Sequence, residues 1–236
     1  MEALGIDVGG SAIKGAIVNL LTGEFVGDRY RLETSQPATV DETVAIIKKL
    51  IHHFSWKGSV GCGFPTVVQN GVVKTASNID KAFVGINASK LFSEKTGCKF
   101  SVLNDADVAG FAELRFGRVT NFNGLAIFLT IGTGIGSAIF SNGKLIPNTE
   151  LGHIFMKNGL KAERFTSDAV RKKENLTWDK WGKRFNDYLL YLEKLFSPEM
   201  FILGGGTSKR FDKFEKQLTV TTPVSPAKLL NNAGIV

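Results

Sequence analysis

The chain has 236 residues, 43% hydrophobic and 22% charged, with a net charge of +7, which describes a folded globular protein and excludes a disordered or fibrous one. Two cysteines without a pairing pattern exclude a disulfide scaffold and fit a reduced, cytoplasmic setting, and no apolar run approaches the roughly 18 residues of a membrane span. The basic excess suits an anionic ligand; with no zinc-finger spacing, RNA-binding signature or Arg-rich arm, nucleic acid is not expected.

The N-terminus runs straight into a strand, with no export signal. Residues 3–33 read as three strands with turns at 9–11 and 21–24. Helical spacing over 40–54 places Val44, Ile47, Leu50, Ile51 and Phe54 on one face; on that helix His52 and His53 read as surface residues. Ser59 to Gly63 is a short strand, ended by Pro65. Asn70-Gly71 signals a hairpin. A helix over 87–96 precedes a strand over 99–103 and a helix over 106–116 that stops at Gly117. A second β hairpin spans 124–146, a mixed charged region 147–175, and a long amphipathic helix 176–196. Phe201 to Leu203 is a strand, and a helix begins near Thr207-Ser208. The apolar ending Ala233-Gly-Ile-Val236 reads as an interrupted terminus.

Two stretches of this order are near-copies. Leu4-Gly-Ile-Asp-Val-Gly-Gly-Ser-Ala-Ile-Lys-Gly-Ala-Ile-Val18 aligns with Ala126-Ile-Phe-Leu-Thr-Ile-Gly-Thr-Gly-Ile-Gly-Ser-Ala-Ile-Phe140, so that Gly10 falls on Gly132, Ser11 on Thr133 and Ala16-Ile17 on Ala138-Ile139. Each is a strand, a turn of Gly and hydroxyl residues, and a second strand. Such turns present N–H and hydroxyl donors to an anion. Two copies gripping one phosphate chain point to a phosphotransferase built by duplication. The expected architecture is α/β: a duplicated ribonuclease-H-like (actin/hexokinase-like) fold of two domains with an interdomain active-site cleft. The expected N-terminal domain covers 1–104 with the first phosphate turn, and the C-terminal domain 105–236 with the second.

Phosphoryl transfer needs donors around the phosphates and a metal-linked carboxylate. Gly9, Gly10 and Ser11 supply donors, Lys14 supplies charge, and Asp7 suits Mg²⁺ held through water. The second turn, Gly132-Thr133-Gly134, acts through N–H and hydroxyl groups. Asn104-Asp105 closes a strand and opens a helix; the Asp is placed either to take a proton from an attacking hydroxyl or simply to cap the helix. Glu150 and His153, three apart near a Gly, suit hydrogen bonds to adjacent sugar hydroxyls better than zinc. Gly204-Gly205-Gly206 with Ser208 fits close approach to a nucleotide or a plain tight turn.

Together these pieces resemble the ROK family of sugar kinases and repressors, and within it the polyphosphate-using glucokinase branch. The resemblance rests on Gly5-Ile-Asp-Val-Gly-Gly-Ser-Ala-Ile-Lys-Gly15, Gly63-Phe-Pro65, Thr75-Ala-Ser-Asn-Ile-Asp80, Asn104-Asp-Ala-Asp107, Leu129-Thr-Ile-Gly-Thr-Gly-Ile-Gly136, Pro147-Asn-Thr-Glu-Leu-Gly-His153 and Gly204-Gly-Gly206. It implies that Asp105 is the catalytic base and that Gly63, Asn78, Asn104, Glu150, His153 and Glu163 bind glucose. It places Asp7, Gly9, Gly10, Ser11, Lys14, Gly132, Thr133 and Gly134 around the phosphates, and it implies Mg²⁺ and a homodimer. Most of the family follows its Glu-x-Gly-His stretch with a Cys-rich zinc motif; here no Cys follows His153, so zinc is not expected.

The implied reaction is phosphorylation of glucose at its 6-hydroxyl from inorganic polyphosphate or ATP. The alternative is an ATP-only hexokinase of the same family acting on glucose, mannose or fructose. A sugar-responsive repressor fits less well, because Asp7 leaves no room for a preceding DNA-binding motif. An actin-like or Hsp70-like ATPase would not need Glu150, His153 or Asn104-Asp105. Nine Lys and Arg against four acidic residues over 157–184 suit a polyanion groove or a solvated helix face equally.

Overall fold

β1 (Glu2–Val8), β2 (Ala12–Asn19) and β3 (Phe25–Glu33) form an antiparallel meander whose buried residues lie mainly in β1 and β2. The computed structural model describes residues 1–35, 37–76, 79–117, 120, 122–229 and 233–236. The chain divides into two units, Met1–Ala112 with Asn232–Val236, and Glu113–Asn231.

In the first unit, α1 (Val40–His53) starts where the Thr39 hydroxyl accepts the Glu42 amide, with acidic residues in its first turn and His52 and His53 in its last. Both choices complement the helix dipole. Thr43, Ile46, Ile47 and Leu50 form its buried face. β4 (Ser59–Phe64) lies parallel to β1. β5 (Val68–Gln69) and β6 (Val72–Val73) make a minimal hairpin through Asn70 and Gly71, whose φ angles of 51° and 79° are what a two-residue I′ turn demands. α2 (Ala88–Thr96) is capped by Asn87 and ends on Gly97 in the left-handed region. β7 (Lys99–Asn104) pairs parallel with β4, and α3 (Asp105–Phe116) follows without a loop. The sheet order is β3-β2-β1-β4-β7. Leu4, Ile6, Val8, Leu50, Phe64, Phe83 and Phe92 are buried in its core.

The second unit repeats the plan. β8 (Leu125–Ile131), β9 (Ile135–Ser141) and β10 (Lys144–Ile146) form an antiparallel meander. A 3₁₀ turn at Leu151–His153, α4 (Ala162–Thr166), α5 (Asp168–Lys173) and α6 (Trp178–Phe196) follow. β11 (Met200–Gly204) pairs parallel with β8, and β12 (Val224–Pro226) pairs parallel with β11. The order, β10-β9-β8-β11-β12, matches that of the first unit position for position. Trp181, Phe185, Tyr188, Leu189 and Leu192 of α6 share a core with Ile127, Leu129, Phe201 and Leu203. At ~1.5–3 kcal/mol per buried large apolar side chain, this cluster fixes the helix to the sheet. The duplicated α/β plan is the expected one. β12 was not foreseen, and Gly206–Lys213 is a 3₁₀ stretch rather than an α-helix.

Candidate functional site

The first unit gathers its polar residues at the carboxyl ends of β1 and β4. Asp7 and Lys14 are register partners on β1 and β2, with Nζ 3.2 Å from Oδ2. Between them the chain turns tightly, the Gly9 amide donating to the Ala12 carbonyl at 2.9 Å. A Cβ on Gly9 would lie 3.0 Å from that same oxygen, so the turn leaves little room for a side chain there. The Ser11 carbonyl accepts from the Thr34 amide, and the Gly10 carbonyl from its hydroxyl. The amides of Gly10 and Ser11 make no hydrogen bond among the described residues. They are donors open to an anion.

Asp7 is also the register partner of Gly63 on β4. Asn104, buried at 8% exposure, is the helix cap: its Oδ1 accepts the amides of Ala106 and Asp107 at 2.9 and 3.1 Å, and its Nδ2 donates to the Thr66 carbonyl at 3.0 Å. That leaves one Nδ2 hydrogen for a ligand. Because Asn104 does the capping, Asp105 is half-buried at the helix start with an Oδ1 contact to the Ala106 amide at 2.8 Å. Gly234 approaches from the chain's end; a Cβ there would meet Asp7 Cγ at 3.3 Å.

In the second unit, the turn after β8 is closed by the Gly132 amide on the Gly134 carbonyl at 3.0 Å, and the exposed Thr133 sits at its tip. His153 lies between two carboxylates. Its Nδ1 is 3.9 Å from Glu150 Oε2, and its Nε2 is 3.6 Å from Glu163 Oε1. A Cβ on Gly134 would lie 2.8 Å from Glu163 Oε2, so the turn and the carboxylate are in direct contact. Burial pushes the Glu150 carboxyl above the ordinary carboxylate range; Glu163 adds to that, against His153 and Lys161, which pull it down.

Two features position this cluster. The Ser137 hydroxyl donates to the Thr149 carbonyl at 2.6 Å and accepts the Leu151 amide at 2.9 Å, tying the segment to β9. A Cβ on Gly152 would fall 2.2 Å from the Ile135 carbonyl oxygen, so only glycine lets the 3₁₀ turn seat there. Alongside, Gly205 has φ of 77° and lies against Ile131, while Gly204 packs on the Phe128 ring. The Ser208 hydroxyl is buried and donates to the Gly205 carbonyl at 2.8 Å. The Gly204–Gly206 loop therefore adjoins the Gly132–Gly134 turn, with Gly206 open to a ligand. Asn78 lies outside the described residues.

A profile of the ROK family matches residues 3–169. The chain belongs to the ROK family. It is 47% identical over 236 residues to a polyphosphate glucokinase of Mycobacterium tuberculosis (strain CDC 1551 / Oshkosh), covering 100% of this chain and 89% of that protein. Identity is 44% to the polyphosphate glucokinase of Mycobacterium leprae (strain TN), covering 100% of this chain and 72% of that one. The crystal structure of an inorganic polyphosphate/ATP-glucomannokinase from Arthrobacter sp. strain KM matches with a TM-score of 0.94 at 41% identity, over 99% of this chain and 95% of that one.

In this ROK chain Glu163 reaches His153 through a short hairpin. Phe155 and Lys161 bridge, the Met156 amide donates to Leu160, and the Ala162 amide returns to Ile154. Among the described residues no group of three or more His, Cys, Asp or Glu could hold a metal ion, and no helix is long and apolar enough to cross a membrane. Four of the nine basic side chains over 157–184 form ion pairs within the stretch. Asp168 pairs with Arg171 and Lys172, Asp179 with Lys183, and Glu174 with Arg184. Burial pushes Asp168 up, but hydrogen bonds from Lys172 and Arg171 outweigh it and hold the carboxyl below its usual range. Sequence reasoning missed the roles of Thr34, Ser137 and Gly152; the Gly in Glu-x-Gly-His was the visible signal for the last.

Proposed function

We propose that this chain phosphorylates glucose at the 6-hydroxyl, drawing the phosphoryl group from inorganic polyphosphate and also from ATP. The observation that carries this reading is 47% identity, over its whole length, to a protein named polyphosphate glucokinase.

We assign the chemistry to residues as follows. Asp105 accepts the proton of the 6-hydroxyl as that oxygen bonds to phosphorus; the bond to the bridging oxygen breaks, and the shortened polyphosphate or ADP leaves with the electron pair. Asn104 caps α3 and so fixes where that carboxylate stands. The open amides of Gly10 and Ser11, the Gly9 turn, Lys14 and the Gly132-Thr133-Gly134 turn hold phosphate oxygens. Glu150, His153 and Glu163 accept and donate hydrogen bonds to sugar hydroxyls, joined by Gly63, Asn78 and the free Nδ2 hydrogen of Asn104. Gly204, Gly205, Gly206 and Ser208 shape the loop that takes a nucleotide when ATP is the donor.

Asp7 fits Mg²⁺. It is a part-buried carboxylate beside the open turn amides and belongs, among the described residues, to no group of three or more metal-ligating side chains, which suits an ion that keeps its waters and binds mainly substrate phosphates. Bound there, Mg²⁺ supplies charge neutralisation to the phosphoryl oxygens. On the family resemblance we place the enzyme in the cytoplasm as a homodimer of two such duplicated chains.

The test is formation of glucose 6-phosphate by the purified chain with Mg²⁺ and glucose, given either polyphosphate or ATP. Product from both donors is expected. Product from ATP alone would make the protein an ATP-only hexokinase, and none from either would overturn the assignment.

A further inference from the structure

Four of the nine cations over 157–184 are held in ion pairs by Asp168, Asp179 and Glu174. On α1, in contrast, Lys48, Lys49, His52 and His53 occupy positions i, i+1, i+4 and i+5, which share one helix face. All four are exposed, and none forms an ion pair among the described residues.

With Tyr30 of β3 they line an open depression of about 410 Å³. Tyr30 faces α1 because its register partner Gly15 does: a Cβ on Gly15 would touch Leu50 Cδ2 and Phe54 Cε2 at 3.5 Å. The Tyr30 and His53 rings stack at 3.9 Å with planes 7° apart, and Phe54 meets His53 edge-on at 4.8 Å. One imidazole is therefore held in place rather than left to swing. The helix C-terminus explains basic side chains at 52 and 53, which suit that end of the dipole. It does not explain Lys48 and Lys49 a turn earlier, nor a concave surface lined by four basic groups and a phenol. The four residues span about 7 Å of helix axis, enough for several charges in a row, and Tyr30, with one face covered by His53, is poorly placed to stack a base.

We propose that this depression, which shares no residue with the Gly9–Ser11 turn, is a docking site for an anionic phosphate chain and holds a segment of polyphosphate. The choice of polyphosphate as ligand rests on the proposed function; the site itself does not, because its test needs no turnover. Electrostatic capture of a long polyanion raises its local concentration and weakens with salt.

The experiment is titration of the full chain with long-chain polyphosphate at low and at physiological ionic strength, comparing wild type, Lys48→Gln/Lys49→Gln, and a charge-matched control, Lys95→Gln/Lys99→Gln. Kd for polyphosphate should rise at least ~5-fold in the first variant at low salt and under ~2-fold in the control, with a shallower salt dependence in the first variant. If the chain is an active kinase, KM for long polyphosphate should rise in parallel while kcat and KM for ATP stay at wild-type values. Equal weakening in both variants overturns the site. So does a loss of affinity for a single-stranded oligodeoxynucleotide as large as that for polyphosphate. Absence of kinase activity with the binding difference intact would sink the proposed function and leave the site standing.

Discussion

A Cβ placed on Gly63 would lie 3.5 Å from the Cα of Asp105 and 3.8 Å from its Cβ, so β4 passes in van der Waals contact with the first residue of α3. The Gly234 carbonyl, 3.3 Å from the same point, closes the other side. Gly63→Val would drive two methyl groups toward the carboxylate. We expect kcat to fall more than ~10-fold and stability by about 1–3 kcal/mol, as overpacking does, read from initial rates and a denaturant melt. Wild-type turnover in a folded variant would remove Gly63 from the site.

Asp105→Asn keeps an oxygen for the Ala106 amide, now 2.8 Å from Oδ1, and leaves the Asn104 cap untouched. It removes only the capacity to take a proton. The expected outcome is a ~10²–10⁴-fold lower kcat with the glucose-induced rise in Tm retained. Near-normal turnover would show that the base lies elsewhere.

Glu150→Gln separates stability from binding. The folded carboxyl titrates above its ordinary value of 4.5, chiefly because it is buried. Its contribution to stability is therefore full below pH 4.5 and is lost as pH rises through the folded value. Above its folded titration the wild type carries an ionised, partly desolvated carboxylate that Gln does not. Tm of the variant should equal or exceed that of wild type at pH 7–8, and the advantage should vanish toward pH 4. The same substitution removes a charged hydrogen-bond partner worth ~1.5–3 kcal/mol, so KM for glucose should rise ~10- to 100-fold. A variant less stable than wild type at pH 8 would contradict this sign.

Lys14→Gln breaks a part-exposed ion pair with Asp7, worth at most ~1 kcal/mol. Tm should scarcely move. KM for polyphosphate should rise ~10-fold while glucose binding, measured by calorimetry, stays the same. An unchanged donor KM would mean that Lys14 serves Asp7 alone.

The elements with strong periodicity were legible. α1, α6 and both meanders followed from spacing, and Asn70-Gly71 announced its hairpin because both positions need left-handed backbone. β12 was not legible: Thr-Pro-Val-Ser-Pro lacks alternation, and only an edge position parallel to β11 tolerates Pro226. The position of Glu163 depends on a hairpin closed by Phe155 and Lys161, which no local pattern encodes. The ion pairs within the basic stretch could have been read, since Asp168 with Arg171 and Lys172, and Asp179 with Lys183, stand at helical i+3 and i+4 spacing. Capping by Asn104 was half-legible: residue type marked the helix start, but only the folded geometry shows that Asn104 accepts the amides of both Ala106 and Asp107 while Asp105 meets that of Ala106 alone.

Gly152 rests against the carbonyl of Ile135, the residue that follows the Gly132–Gly134 turn, and Glu163 rests against Gly134 itself. The segment carrying Glu150 and His153 thus packs directly against the Gly132–Gly134 turn. Whatever an occupied turn does to the affinity for sugar, the sugar must do to the affinity for phosphate by the same factor. Under the proposed roles, the phosphate donor and the sugar acceptor are each other's effectors through this segment.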